Sequence, residues 1–132
     1  MITIRSCTSN RELRITPARD SYLLVELTGF PITAKVEVRA ETGDAAGLQA
    51  FLADLGKNER PWNGARKWQS LEDDFKISAT CTASGQVVFD IQMRGLQGGP
   101  EEWTITAGIG YELGRLGQLS NGIDLEVASD GC

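Results

Sequence analysis

Between Phe75 and Met93 the chain alternates apolar and polar residues almost without exception. Phe75, Ile77, Ala79 and Cys81 fall on one side of an extended backbone, and Lys76, Ser78 and Thr80 on the other. After Ala83-Ser84-Gly85, the residues Val87, Phe89, Ile91 and Met93 share a face opposite Val88, Asp90, Gln92 and Arg94. A period of two is the signature of a strand, whose successive side chains point to opposite faces. Gly85 supplies the positive φ of a tight turn. The segment is therefore predicted to be a hairpin in an antiparallel sheet, apolar on one face and wet on the other.

The same pattern predicts further strands. Short alternating stretches run from Ile2 to Ser6 and from Glu12 to Thr16, with Thr8-Ser9-Asn10 as the turn between them. Tyr22 to Thr28 places Leu23, Val25 and Leu27 on one face, and Gly29-Phe30-Pro31 breaks it. Ile32 to Ala40 alternates cleanly, and so does the run through Trp103, Ile105, Ala107 and Ile109. In between, the period changes. Leu48, Phe51, Leu52 and Leu55 form one helical stripe, with Thr42 or Asp44 to cap its start and Gly56 to end it. Leu116, Leu119, Ile123 and Val127 predict a second helix near the end. Gly114, Gly117 and Gly122 weaken it by about 1 kcal/mol each relative to Ala. The expected fold class is α+β: a mainly antiparallel sheet of about seven strands with two helices packed on it. Residues 1–132 are expected to form a single domain.

Charge narrows the partners. Thirteen basic and 18 acidic residues give a formal charge of −5 and a pI near 4.7. Phosphate backbones are bound by clustered Lys and Arg, so nucleic acid is not expected as a partner. No run approaches the ~20 apolar residues of a membrane span, and no membrane partner is expected. The first residues, Met1-Ile2-Thr3-Ile4-Arg5, lack the apolar stretch of a signal peptide, so a cytoplasmic location is expected. Cys7, Cys81 and Cys132 are odd in number and widely spaced, with no paired metal motif. Cys81 is expected as a small buried hydrophobe and Cys132 as an exposed terminal residue, with no structural disulfide.

The chain contains no histidine. Ser-His-Asp and Cys-His nucleophile activation are excluded, as is any zinc site that uses His. Carboxylate chemistry, a Lys or Tyr base, or a cofactor with its own reactivity remain.

Recognition chemistry concentrates in Arg60-Pro61-Trp62-Asn63-Gly64-Ala65-Arg66-Lys67-Trp68-Gln69-Ser70-Leu71-Glu72. Two of the three tryptophans lie here, between a predicted helix and predicted strands. Such aromatics seal a core where helix hands over to sheet. They also form partner hot spots, with Arg60 and Arg66 as planar donors beside the rings. A division satisfies both readings: Trp68 buried, Trp62 exposed. The acidic stretch Ser70 to Asp74 is either a solvated turn or a hard-cation site built from Glu72, Asp73 and Asp74. It lacks the Asp/Asn ladder and glycine of a calcium loop, and no metal site is assigned. Asp90, Gln92 and Arg94 share a strand face with Lys76, Ser78 and Thr80 across the hairpin. That face is either plain solvated surface or the floor of a ligand groove. In an enzyme, Asp90 or Glu72 would be the acid or base and Arg94 the anion clamp. The glycines form no phosphate loop: there is no Gly-Lys-Ser/Thr and no Gly-x-Gly-x-x-Gly between strand and helix.

The succession of an apolar helix, Trp62-Asn63-Gly64, Trp68-Gln69-Ser70-Leu71-Glu72, a strand, Gly85-Gln86-Val87, a second strand and a Trp-containing third resembles a group of small bacterial proteins. That group carries a Trp-x-Ser-Leu-Glu signature. The likeness extends more distantly to WapI-type immunity proteins of contact-dependent toxin systems, and it covers about residues 48–119. Those proteins often have Gly-His-Val at the hairpin, where this chain has Gly85-Gln86-Val87, so a role for that histidine does not carry over. The resemblance implies a small α+β protein without catalysis that binds and neutralises a toxin. A basic toxin would suit the low pI.

Two readings follow. The first is a non-catalytic, cytoplasmic protein-binding module using Trp62, Arg66 and Trp68 with the nearby sheet face, and needing no cofactor. The second is a small-molecule binder or carboxylate-based enzyme using Glu72, Asp90 and Arg94. A subunit that self-associates through a sheet edge is a third option.

Overall fold

Every stretch of clean alternation becomes a strand. The structure, a computed structural model of the 132-residue chain, describes residues 2–19, 22–39, 42–70 and 72–121, with only the backbone described at 42–46 and 118–121. Strands β1 (Ile2–Arg5), β2 (Glu12–Pro17), β3 (Tyr22–Gly29) and β4 (Ile32–Arg39) precede the helix α1 (Thr42–Gly56). After it come β5 (Arg66–Gln69), β6 (Phe75–Cys81), β7 (Gln86–Gly95) and β8 (Trp103–Glu112), then a 3-10 helix, Leu113–Asn121.

These strands form two four-stranded sheets, ordered β1-β2-β3-β4 and β5-β6-β7-β8, antiparallel throughout. The expectation of one sheet of about seven strands is corrected in both respects. Alternation tells which face a side chain takes but not which strand lies alongside, so the division into two sheets leaves no mark in the periodicity. The additional strand is β5, cut from the Trp-rich connector. The second α-helix is also corrected: its described part is a 3-10 helix, in keeping with the low helix propensity of Gly114 and Gly117. Of its predicted stripe, Leu116 is buried. The side chain of Leu119, and Ile123 and Val127 altogether, lie outside the described residues, as do the Thr42 and Asp44 side chains expected as caps. Among the described residues the fold is thus mainly antiparallel β with one α-helix.

Register lines the apolar faces up into rows. Ile4, Leu13, Leu27 and Ala34 cross the first sheet, while Ile77, Ile91 and Ala107 cross the second beside Ala79, Phe89 and Ile109. Leu48, Leu52 and Leu55 of α1 join both sheets in one hydrophobic cluster. Each such side chain contributes about 1.5–3 kcal/mol on burial. The sheets also meet through polar groups. Cys7 N donates to the Gly110 carbonyl at 2.8 Å, and Arg11 Nη1 to the Gly108 carbonyl at 2.7 Å, so the β1–β2 turn closes the outer edge of β8. Gly29, at φ 138°, sits against that turn, where a Cβ would lie 2.7 Å from Arg11 Cα. Cys7 is disulfide-bonded, against the expectation of no disulfide, and its partner lies outside the described residues, as does Cys132. Cys81 is free and half-buried. Among the described residues no helix is long and apolar enough to cross a membrane.

Candidate functional site

Strand β5 decides where the Trp-rich segment goes. Its pairing sets Trp68 opposite Ile77 and Arg66 opposite Ala79, so these two face the core side, while Lys67 and Gln69 face outward with Ser78 and Lys76. Trp68 is half-buried against Phe75, with ring centroids 6.1 Å apart and planes tilted by 59°. Trp62 is more deeply buried, only 8% exposed. Its indole Nε1 donates to the Ala79 carbonyl at 3.2 Å, and the Arg66 guanidinium lies 5.3 Å from its ring centroid. The division predicted from sequence is therefore overturned: Trp62 is the buried brace and Trp68 the half-exposed ring. A buried indole must place its N–H on an acceptor, and the Ala79 carbonyl at the end of the short β5 provides one. The Arg66 stack adds about 0.5–1 kcal/mol at such an exposed position.

The acidic stretch is spent on a turn. Ser70 is buried, and its Oγ accepts from the backbone N–H groups of Asp74 at 3.2 Å and Phe75 at 3.0 Å. The same hydroxyl donates to Asp74 Oδ1 at 2.5 Å. Asp73 occupies the left-handed region at φ 67°, and its carboxylate pairs with Lys76 Nζ at 3.3 Å. Glu72 is exposed. Among the described residues no group of three His, Cys, Asp or Glu is placed to hold a metal ion.

The outward face of the β5–β8 sheet carries a groove. Lys67, Ser78, Asp90 and Gly108 form one transverse row, and Gln69, Lys76, Gln92 and Thr106 the next. All but Gly108 line a solvent-open groove of about 310 Å³, which Trp68, Ile77 and Ile91 also border. Among the described residues the side chains of Lys67, Gln69, Ser78, Asp90, Gln92 and Thr106 have no hydrogen-bond or ion-pair partner. Arg94 lies farther along β7, opposite Thr104, and its backbone N–H donates to the Asp74 carbonyl at 2.9 Å. Neither Arg94 nor Glu72 lines the groove. Of the six residues singled out in the sequence, Asp90 projects into the groove and Trp68 only borders it from the core side, Trp62 and Arg66 stack on the core side without lining it, and Glu72 and Arg94 stand apart from it.

A model for a family of unknown function, DUF6228, matches residues 7–129. The chain belongs to the DUF6228 family. The match takes in most of the first sheet as well as the second, so it reaches well beyond the stretch 48–119 that carries the Trp-x-Ser-Leu-Glu resemblance. No curated protein and no solved structure matches the chain.

Two signature residues of this DUF6228 protein therefore have structural duties: Trp68 packs on the core and Ser70 clasps the turn, on which Glu72 sits exposed. Lys67 and Gln69 are groove residues that sequence reasoning passed over. Their signal was the alternation Arg66-Lys67-Trp68-Gln69, legible only once these four are known to be a strand. Phe30, 90% exposed at the β3–β4 bend, was likewise read only as part of a break.

Proposed function

We propose that this DUF6228 protein is a non-catalytic module that binds another protein through the outward face of its β5–β8 sheet and the β5 edge. The observation that carries this reading is the groove: six polar side chains line one face and have no partners of their own among the described residues. Small-molecule sites bury most of their ligand in a largely apolar pocket. A broad, solvent-open groove that mixes polar side chains with apolar lining suits a protein better. An acid–base mechanism draws little support, since Asp90 lines the groove without Arg94 or Glu72 beside it. The resemblance to WapI-type immunity proteins extends the reading to a toxin as the partner, and a net charge of −5 would steer a basic one toward the chain.

Affinity capture with wild type beside the double variant Lys67→Glu/Asp90→Lys tests this. One protein held in stoichiometric amount by wild type and lost by a folded variant supports it. Equal retention by both, or an empty column, refutes it. The same groove offers Lys67 and Asp90 to a small zwitterion, and this second reading predicts a ligand-dependent rise in melting temperature that the double variant abolishes.

A further inference from the structure

Among the described residues, the chain closes one edge of its second sheet and leaves the other without a hydrogen-bonded neighbour. Cys7 and Arg11 cap the carbonyls of β8; among the described residues β5 has no such cap. Ser70 N donates to the Phe75 carbonyl at 2.8 Å, which fixes the phase of the ladder: position 70 turns its N–H toward β6. Antiparallel pairs alternate in kind, so in the same phase Trp68–Ile77 and Arg66–Ala79 are the hydrogen-bonded pairs. Lys67 and Gln69 therefore turn their N–H and C=O groups away from β6. Among the described residues, neither backbone is engaged elsewhere, and both residues are exposed.

Charge says what fits there. Among the described residues, no carboxylate forms an ion pair with Arg66 or Lys67, in a chain that is acidic as a whole. A second copy of β5 would bring another Arg-Lys pair alongside and no carboxylate from the strand, and like charges across a ladder are destabilising. We propose that β5 is a strand-addition site for an extended, acidic segment of a partner protein. This rests on the protein-binding reading, not on the partner's overall charge, and adds the chemistry of the local contact at Arg66 and Lys67. Running antiparallel, the segment sets an apolar residue beside Trp68 and carboxylates opposite Lys67 and Arg66. Main-chain bonds to Lys67 and Gln69 supply affinity and these side chains supply selectivity.

The probe is a blocked peptide of sequence Ser-Thr-Val-Glu-Glu-Ser, with Ser-Thr-Val-Lys-Lys-Ser as its counterpart, titrated into isotope-labelled protein and followed by NMR. The expected result is saturable shifts centred on the Lys67 and Gln69 amides, with the Lys peptide weaker by about tenfold or more. Gln69→Pro removes an outward N–H and leaves the β5–β6 ladder whole, so it weakens the acidic peptide by a similar factor, whereas Gln69→Ala does not. Lys67→Glu, an exposed change that spares the backbone, reverses the preference between the two peptides. Absence of saturable binding to wild type, or binding indifferent to both Gln69→Pro and Lys67→Glu, overturns the proposal. A captured partner protein that Gln69→Pro holds as tightly as wild type removes strand addition and keeps the protein-binding reading; an empty column removes that reading itself.

Discussion

Trp62 Nε1 donates to the Ala79 carbonyl at 3.2 Å. The residue that looks most like an exposed hot spot in the sequence is thereby a brace, tying the segment after α1 to the second strand of the second sheet. Trp62→Ala is expected to cost about 3–5 kcal/mol of stability. Trp62→Phe, which keeps a ring and leaves the carbonyl without its donor, costs about 1–3 kcal/mol. Urea unfolding measures both, and a near-neutral Trp62→Ala would contradict the assignment.

Ser70→Ala removes a hydroxyl that accepts two backbone N–H groups and donates to Asp74. With those buried donors unmatched, a loss of about 1–3 kcal/mol is expected, whereas Ser70→Thr, which keeps the hydroxyl, loses less. Equal losses for the two variants in the same unfolding assay would show that the hydroxyl is not what holds the turn.

Gly95 and Trp103 face each other across β7 and β8, and a Cβ at Gly95 would lie 2.1 Å from the Trp103 ring. Gly95→Ala should therefore destabilise by more than the about 1 kcal/mol typical of a point change. Adding Trp103→Ala should recover part of that loss, and a double-mutant cycle reads the coupling. Simple additivity would mean that the two residues do not collide.

The hairpins were legible because one side chain in two had to be apolar for the sheet to bury a face, as in Phe75-Ile77-Ala79 and Val87-Phe89-Ile91. Strand β5 was not. It has four residues, three of them exposed, so its alternation carries no hydrophobic contrast. That one miss hid both the groove partner Lys67 and the open edge. Asp90 was legible as outward-facing, but that its face carries a groove follows from how four strands lie together, which no local pattern records. The exchange of roles between Trp62 and Trp68 was equally invisible, since it turns on which indole reaches the Ala79 carbonyl.

Stability at high pH should depend on Tyr111. Burial pushes its hydroxyl above the usual tyrosine value, and the nearby charge and hydrogen bond of Arg115 offset this only in part. The folded state thus favours the neutral phenol. Its stabilising contribution is complete below the unfolded value near 10 and is lost as pH rises through the higher folded value. Urea midpoints between about pH 9 and 11 should fall less steeply in Tyr111→Phe than in wild type. Identical slopes would remove Tyr111 as a source of the alkaline loss.

The most direct test of the binding surface is hydrogen exchange of the free protein against its complex with the captured partner. Slowed exchange across residues 66–69, with lesser changes at 76–78 and 90–92 and none in β1 to β4, is the result predicted here. Protection confined to the first sheet, or to the Phe30 bend between β3 and β4, would place the interaction elsewhere and contradict the account.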